Sequence, residues 1–279
     1  MKLFQTEIYK LTRRTSSKVL FILAPLFMLV TVGTVKLLGQ LKFDKTMIGS
    51  LADSRVYTGA LGGITSFITI AAIIIAAQLF TNDQQKGTIK LLLARPISRV
   101  QLLIAKFFAV LSFGLVLIIW TNVLSYIIYP LFLGGHNLTK ASALYKTSLL
   151  EVTLRNSISE FFLIFYIAAI VMLFAVITNS QAFTIVIGIL VTNLGTAINM
   201  IMVLFMSKFS GIQWNPLNML SINEVSALEV SNLPASDMSG QLVATLTQGM
   251  NLPVMIGMIL FYSAIFIAIS TLIFKRKQI

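Results

Sequence analysis

The sequence contains no cysteine and a single histidine, His136. A disulfide framework, a cysteine metal site and a multi-histidine metal centre are therefore excluded. Acidic residues are also scarce, with nine in 279 residues against 21 lysines and arginines. Only 11% of the chain is charged and 57% is hydrophobic, with a mean hydropathy of +0.91. This composition excludes an ordinary soluble domain of the same length.

Several catalytic and nucleotide-binding motifs are missing as well. No G-x-x-x-x-G-K-[ST] sequence occurs, so the chain has no P-loop with which to cradle ATP. The absence of H-E-x-x-H and G-x-S-x-G leaves metalloprotease and serine-hydrolase chemistry without support. We therefore predict a non-enzymatic chain with no catalytic residues and with no metal or cofactor of its own.

Long apolar runs dominate what the chain does contain. Six of them have about the ~20 residues that a helix needs to cross a bilayer. They lie at about 19–38, 59–80, 102–129, 158–178, 183–206 and 253–274. We predict an all-α integral membrane protein with six transmembrane helices, forming a single domain over residues 1–279. Residues 179–182 alone separate the fourth and fifth runs, which should form a tight helical hairpin.

The basic residues cluster beside these runs, which is typical of a membrane protein rather than of a nucleic-acid-binding one. If the N-terminus is cytoplasmic, the inner segments are 1–18, 81–106, 179–182 and 275–279. They hold 13 of the 21 basic residues and two of the nine acidic ones. The positive-inside rule then predicts a multi-pass protein of the cell membrane with both termini cytoplasmic. The connections 39–58, 130–157 and 207–252 would lie outside.

Residues 1–18 have the pattern of an amphipathic helix. Met1, Phe4, Ile8 and Leu11 recur at helical spacing, and basic residues flank the face they form. Such a helix lies in the membrane interface, with its apolar side on the lipid and its basic side toward anionic headgroups. The alternative is a plain charged leader ahead of the first span.

The connection 207–252 is too rich in apolar residues for a solvated loop. We predict that Trp214 anchors it at the outer interface, where tryptophan is enriched. Two interpretations stay open for the region. It forms one or two short helices that dip into the outer leaflet or cap the bundle, or it forms a small extracellular subdomain with its own core.

Polar side chains inside the spans are candidates for lining a transport pathway. Thr192, Thr196 and Asn199 lie on roughly one face of the fifth span, and Asn122 and Tyr126 lie in the outer half of the third. Helix packing explains the first group at least as well, and an aromatic belt is an alternative for the second.

Glu160 is expected near the outer surface, at the start of the fourth span. No acidic residue would then lie at mid-membrane. This argues against a proton- or sodium-coupled carrier, because such sites usually need buried ionisable groups.

The polar segment 83–106, between the second and third spans, is the most informative part of the chain. Its residues 84–93 have helical spacing, Gly87 permits close approach of another backbone, and Pro96 ends the helix. Lys106 lies one or two turns into the third span and is expected to reach back to the interface with its ammonium group. A short amphipathic helix in this position favours a docking surface for a soluble partner.

This segment resembles one in the permease subunits of ABC-2-type transporters. The matching residues are Asp83, Gly87-Thr88, Lys90, Leu92-Leu93, Pro96-Ile97-Ser98-Arg99 and Lys106. The acidic position usually holds glutamate in that family, so Asp83 is a departure. The six-span layout, the N-terminal amphipathic helix and the large outer connection are similar too. The resemblance therefore covers nearly the whole chain, and it points to the branch of bacitracin-resistance and lantibiotic-immunity peptide exporters.

The resemblance implies that segment 81–101 is a coupling helix that inserts into a groove of an ATP-binding-cassette subunit. That subunit, present in two copies, would bind ATP and magnesium. The implied docking residues are Asp83, Gln84, Lys86, Gly87, Thr88, Lys90, Arg95, Pro96, Arg99, Asn179 and Gln181.

The further implied partners are membrane lipid and a second permease, in a homo- or heterodimer. The implied function is export of an amphipathic or antimicrobial peptide, or of a lipid-like compound. The alternatives are a peptide-sensing or immunity subunit without transport, and an ATP-independent channel or carrier.

Overall fold

The computed structural model describes residues 2–40, 54–85, 98–133, 147–206, 211–230 and 250–276, and the regular elements of these residues are all helices. The α-helices are α1 Lys2–Arg13, α2 Thr15–Gln40, α3 Ser54–Gln85, α4 Arg99–Leu133, α5 Leu149–Thr178, α6 Gln181–Met206, α7 Ile222–Val230 and α8 Leu252–Arg276. Two 3₁₀ helices, Ile212–Trp214 and Pro216–Ser221, lie between α6 and α7. The predicted all-α class is confirmed for the described residues.

Five helices are long and apolar enough to cross a membrane. The qualifying stretches are Thr15–Thr34, Ile64–Asp83, Arg99–Phe132, Leu150–Thr178 and Leu252–Arg276. Helix α6 has 26 residues in all, but its described apolar stretch, Gln181–Gly195, is shorter. The sixth span therefore stays a prediction, while the other five have helices at the predicted places.

Helix α5 lies at the centre of the bundle, packed against α3, α4, α6, α7 and α8. Small side chains let its neighbours approach closely. A Cβ atom added to Gly188 of α6 would lie 2.6 Å from Ile73 Cγ2 and 3.3 Å from Val171 Cγ2. Glycine at this position therefore allows α6 to pack against both α3 and α5.

The outer helices of the bundle expose the apolar side chains that a membrane would cover. Ile22 and Leu26 on α2 are 71% and 58% exposed, and Phe261 and Leu272 on α8 are 57% and 56% exposed. In water, such a surface would be an aggregation-prone patch. In a bilayer it contacts lipid tails, which fits a multi-pass membrane protein.

The turn between α5 and α6 is shorter than predicted. Helix α5 ends at Asn179, which has a left-handed backbone conformation (φ 54°), and its N–H donates to the Ala175 carbonyl. Asparagine tolerates this conformation better than most residues. Helix α6 begins again at Gln181, so the hairpin connection consists of residues 179–180 rather than 179–182.

Helix α5 begins at Leu149, nine residues before the predicted span. Ser148 caps it, accepting a hydrogen bond from the backbone N–H of Glu151. The hydropathy of the sequence falls around Glu151 and Arg155, but the helix continues through them. Glu160 consequently lies eleven residues into α5 and is 1% exposed. Its side chain is thus buried among the helices, while its depth in the membrane stays a prediction.

The described residues after α6 pack onto the bundle. Met219, Ile222 and Val225 are buried and belong to the same hydrophobic core as α3, α4 and α5. A shared core favours the interpretation in which short helices cap the bundle over that of a separate subdomain. The Trp214 side chain is 41% exposed, while its carbonyl accepts a hydrogen bond from the Tyr262 hydroxyl at 2.5 Å.

Candidate functional site at the basic end of the bundle

One end of the bundle gathers the basic helix ends, and we call it the basic end. It comprises α1, the end of α3, the start of α4, the turn 179–180 and the end of α8. Gln85 Nε2 donates to the Asn179 carbonyl at 3.3 Å. Arg99 Nη1 lies 3.4 Å from the Phe274 carbonyl and 3.5 Å from that of Lys275. These contacts join the end of α3 to the α5–α6 turn and the start of α4 to the end of α8.

A buried charge cluster lies at the centre of this end. It consists of Glu7, Lys10 and Arg14 near the N-terminus, Asp83 on α3 and Lys106 on α4. The Lys106 ammonium group donates to the Asp83 carboxylate and, at 2.7 Å, to the Leu79 carbonyl. Lys10 Nζ lies 2.6 Å from Glu7 Oε1 and 3.8 Å from Asp83 Oδ2.

Burial makes the pairing of Lys106 with Asp83 structurally important. The Lys106 side chain is 3% exposed and that of Asp83 is 14% exposed. A buried charge without a partner costs several kcal/mol, so each of these groups needs the other. The expectation that Lys106 extends back to the membrane interface is wrong, because its ammonium group turns into the bundle and joins α4 to α3.

Helix α1 and Arg14, the residue that follows it, supply the remaining charges of the cluster. Glu7 is 2% exposed, although the sequence predicts that the buried side of this helix is apolar. Burial lowers the pKa of Arg14 from its ordinary value, and the negative charges of Asp83 and Glu7 oppose that shift. Arginine remains protonated despite such shifts. The cluster thus carries three positive side chains and two negative ones.

The basic end also contains part of the predicted docking set. Asp83, Arg99, Asn179 and Gln181 lie there, on α3, α4 and the α5–α6 hairpin. The backbone of Gln84 is described but its side chain is not. The other members lie outside the described residues, namely Lys86, Gly87, Thr88, Lys90, Arg95 and Pro96.

The predicted coupling segment 81–101 is consequently divided. Residues 81–85 continue helix α3 and residues 99–101 begin α4, so only 86–97 remain for a separate element, outside the described residues. Asp83 does not project freely from the bundle, because its carboxylate accepts the hydrogen bond of Lys106. Asp83 lies near the end of α3, two residues before its last residue, Gln85.

Sequence reasoning missed the charge cluster. One signal was present: Glu7 lies three residues after Phe4 and four before Leu11, on the face of α1 that was predicted to be apolar. An acidic residue on that face indicates a cationic partner. Its direct partner in the structure is Lys10, three residues later. Nothing in the spacing identifies the rest of the cluster, because Lys106 lies 99 positions after Glu7.

The predicted pathway residues do not form one site among the described residues. Asn122 lines a cavity between α3, α4 and α5, where its Nδ2 donates to Ser157 Oγ at 2.9 Å. Thr192 lies on α6 and bonds to carbonyls of its own helix. Tyr126 is half-buried on α4, and the side chains of Thr196 and Asn199 lie outside the description. A pathway lined by all five stays a prediction.

Comparison with known proteins places the chain in a family. The family described as "ABC-2 family transporter protein" matches residues 3–195, more than two thirds of the chain. The chain is also similar to "Uncharacterized protein YhcI" of Bacillus subtilis (strain 168), with 37% identity over 86 residues. That match covers 31% of this chain and 28% of the other protein. The chain belongs to the ABC-2 transporter family.

Proposed function

We propose that this chain is the permease of an ATP-driven exporter and that its basic end receives the ATP-binding subunits. One observation carries the proposal: α3 ends and α4 begins at the basic end, beside the α5–α6 hairpin and the charge cluster. A partner held there would act on α1, α3, α4 and α5 together. The orientation that fits places the basic end and both termini in the cytoplasm.

The proposed complex contains two ATP-binding subunits, which bind ATP and magnesium, and two permeases that are identical or related. The substrate class is an amphipathic or antimicrobial peptide or a lipid-like compound, as in the bacitracin-resistance and lantibiotic-immunity branch. Family resemblance supports this substrate class, whereas no side chain described above selects it.

The docking role is tested by introducing a bulky side chain into segment 86–97. Gly87→Trp should abolish co-purification of an ATP-binding-cassette protein with the affinity-tagged chain from native membranes, because bulk blocks close backbone approach. Gly257→Trp is the matched control, since nothing lies within 4 Å of a Cβ added at Gly257 on α8. Normal insertion of both variants with loss of the partner only for Gly87→Trp supports docking. Equal recovery of the partner with both would refute it.

The orientation is tested by labelling, which is simple because the chain has no cysteine of its own. Single cysteines replacing Ser50, Ser148 or Ser236 should react with an impermeant reagent applied to intact cells. Cysteines replacing Gln84 or Gln278 should react only after the membrane is opened. Labelling of the Gln84 variant in intact cells would place the basic end outside and remove the docking proposal.

A further inference from the structure

A small cavity lined by both polar and apolar side chains lies between α3, α4 and α5, on the side away from the basic end. Its volume is about 30 Å³, enough for one ion or about two water molecules. Its polar lining includes Glu160, Asn156, Ser157, Thr121 and Asn122, and its apolar lining includes Ile68. Nearly all of these residues lie within candidate membrane-spanning helices, where polar groups usually mark a functional site.

Glu160 gives this cavity a carboxylate with neutral partners. Its side chain is 1% exposed. Oε1 accepts a hydrogen bond from Thr69 Oγ1 at 3.1 Å, and Oε2 accepts one from Asn223 Nδ2 at 2.7 Å. Among the described residues, no lysine or arginine lies within ion-pair distance of it; Arg155 pairs with Glu151 and Glu229 instead.

Two hydroxyl groups of the cavity lining donate within their own helices, and Ser157 Oγ also accepts from Asn122 Nδ2 at 2.9 Å. The hydroxyl of Ser157 donates to the Thr153 carbonyl at 2.7 Å, and that of Thr121 donates to the Leu117 carbonyl at 2.9 Å. Each hydroxyl proton is therefore used within its own helix, which leaves oxygen lone pairs for the cavity. Asn156 Oδ1 is buried and has no hydrogen-bond partner among the described residues.

The cavity offers several oxygen ligands, one negative charge and little space. These properties together favour a small hard cation. A divalent ion would draw on more carboxylates. No group of three histidine, cysteine, aspartate or glutamate side chains that could hold a metal occurs in the described part of the chain. One carboxylate is neutralised by one monovalent charge.

We propose that the cavity binds a small monovalent metal cation of the sodium class, with Glu160 as its charged ligand and Asn156 Oδ1 and the hydroxyl oxygens as neutral ones. The bound cation would neutralise Glu160 where no lysine or arginine does. Because Asn223, just inside α7, also binds Glu160, the cation would fasten the capping region to α3 and α5. This inference does not depend on an ATP-binding partner.

The test measures the melting temperature of the purified full-length chain in sodium, lithium, potassium or choline chloride at one ionic strength and pH 8. Sodium should raise it saturably, by about 3 °C at ten times the dissociation constant, and choline should not. Glu160→Gln should remove the sodium effect. Glu151→Gln is the matched control, on the same helix with a 47% exposed side chain, and should keep it.

Asn156→Ala provides a second variant should Glu160→Gln fail to fold. It removes one neutral ligand and should raise the sodium concentration needed for half the effect about tenfold. Equal melting temperatures of the unaltered chain in sodium and choline would overturn the proposal. So would a sodium effect that persists in Glu160→Gln. A melting temperature that responds to acidification but not to sodium would mean that Glu160 holds a proton instead, and would also overturn it.

Discussion

The two ends of the bundle bury a carboxylate in different ways. At the basic end, Asp83 faces two lysines, and Lys106 binds it directly. Toward the other end, Glu160 is more deeply buried and is bound by a threonine hydroxyl and an asparagine amide. The first carboxylate is neutralised by the chain itself, whereas the second is held by neutral hydrogen bonds.

This difference distinguishes a structural ion pair from a carboxylate that can bind a ligand. A buried ion pair fixes the relative positions of the elements that carry it, since separation would leave both charges unpaired. Asp83 and Lys106 therefore fix the end of α3 against the start of α4. A buried carboxylate with neutral partners can instead exchange a cation or a proton. We thus expect α3 and α4 to move together as a rigid unit at the basic end. At the other end, we expect the packing around Glu160 to depend on a bound ligand.

The largest predicted effect is that of breaking the ion pair from one side. Lys106→Met should lower the free energy of unfolding by about 3–5 kcal/mol, because it leaves the Asp83 charge buried and the Leu79 carbonyl without its donor. Thermal unfolding in detergent or nanodiscs measures this loss. Lys18→Met is the control, because that lysine is exposed and its loss should cost no more than about 1 kcal/mol.

The double variant Asp83→Asn with Lys106→Met sharpens this prediction. With both charges removed, most of the lost stability should return, since the penalty arises mainly from the uncompensated charge. A double variant as unstable as Lys106→Met alone would show that packing of the lysine chain, rather than ion pairing, joins the two helices.

An intermediate effect is predicted for Glu229, which joins α7 to the start of α8. Its Oε1 accepts the backbone N–H of Leu252 at 2.7 Å, and its Oε2 accepts from Arg155 at 3.1 Å. The carboxylate thus caps a helix N-terminus from another element. Glu229→Ala should cost about 1–2 kcal/mol, less than Lys106→Met because the side chain is 28% exposed. A loss equal to that of Lys106→Met would remove the contrast between the two ends.

The sequence was sufficient for the spans because long apolar runs decide membrane insertion without tertiary information. It located five helices and the α5–α6 hairpin, where Asn179 marks the turn. It was insufficient for the start of α5, since the helix continues through Glu151 and Arg155, which pair with each other, and Arg155 also pairs with Glu229 of α7. Hydropathy records composition, whereas burial depends on which side chains face each other in the bundle.

The candidate sites were harder to predict for the same reason. The docking segment was predicted from local spacing and from a family resemblance, and it stays a prediction because residues 86–97 lie outside the described residues. The charge cluster joins Glu7, Asp83 and Lys106, which are far apart in the chain. The cavity at Glu160 depends equally on long-range contacts, because its hydrogen-bond donors, Thr69 and Asn223, lie 91 and 63 positions away.

The smallest predicted effect is the most discriminating. In the Glu160→Gln variant, the glutamine side chain has nearly the shape of glutamate. It keeps an oxygen that can accept a hydrogen bond from Thr69 or Asn223. It removes a buried charge without leaving an opposite charge behind, unlike Asp83→Asn, which leaves Lys106 unpaired. In sodium-free choline buffer it should therefore change the free energy of unfolding by less than about 1 kcal/mol, in either direction. Asp83→Asn in the same buffer should lose about 3–5 kcal/mol. A comparably large loss for Glu160→Gln would mean that an unrecognised cationic group neutralises Glu160, and the contrast between the two buried carboxylates would disappear.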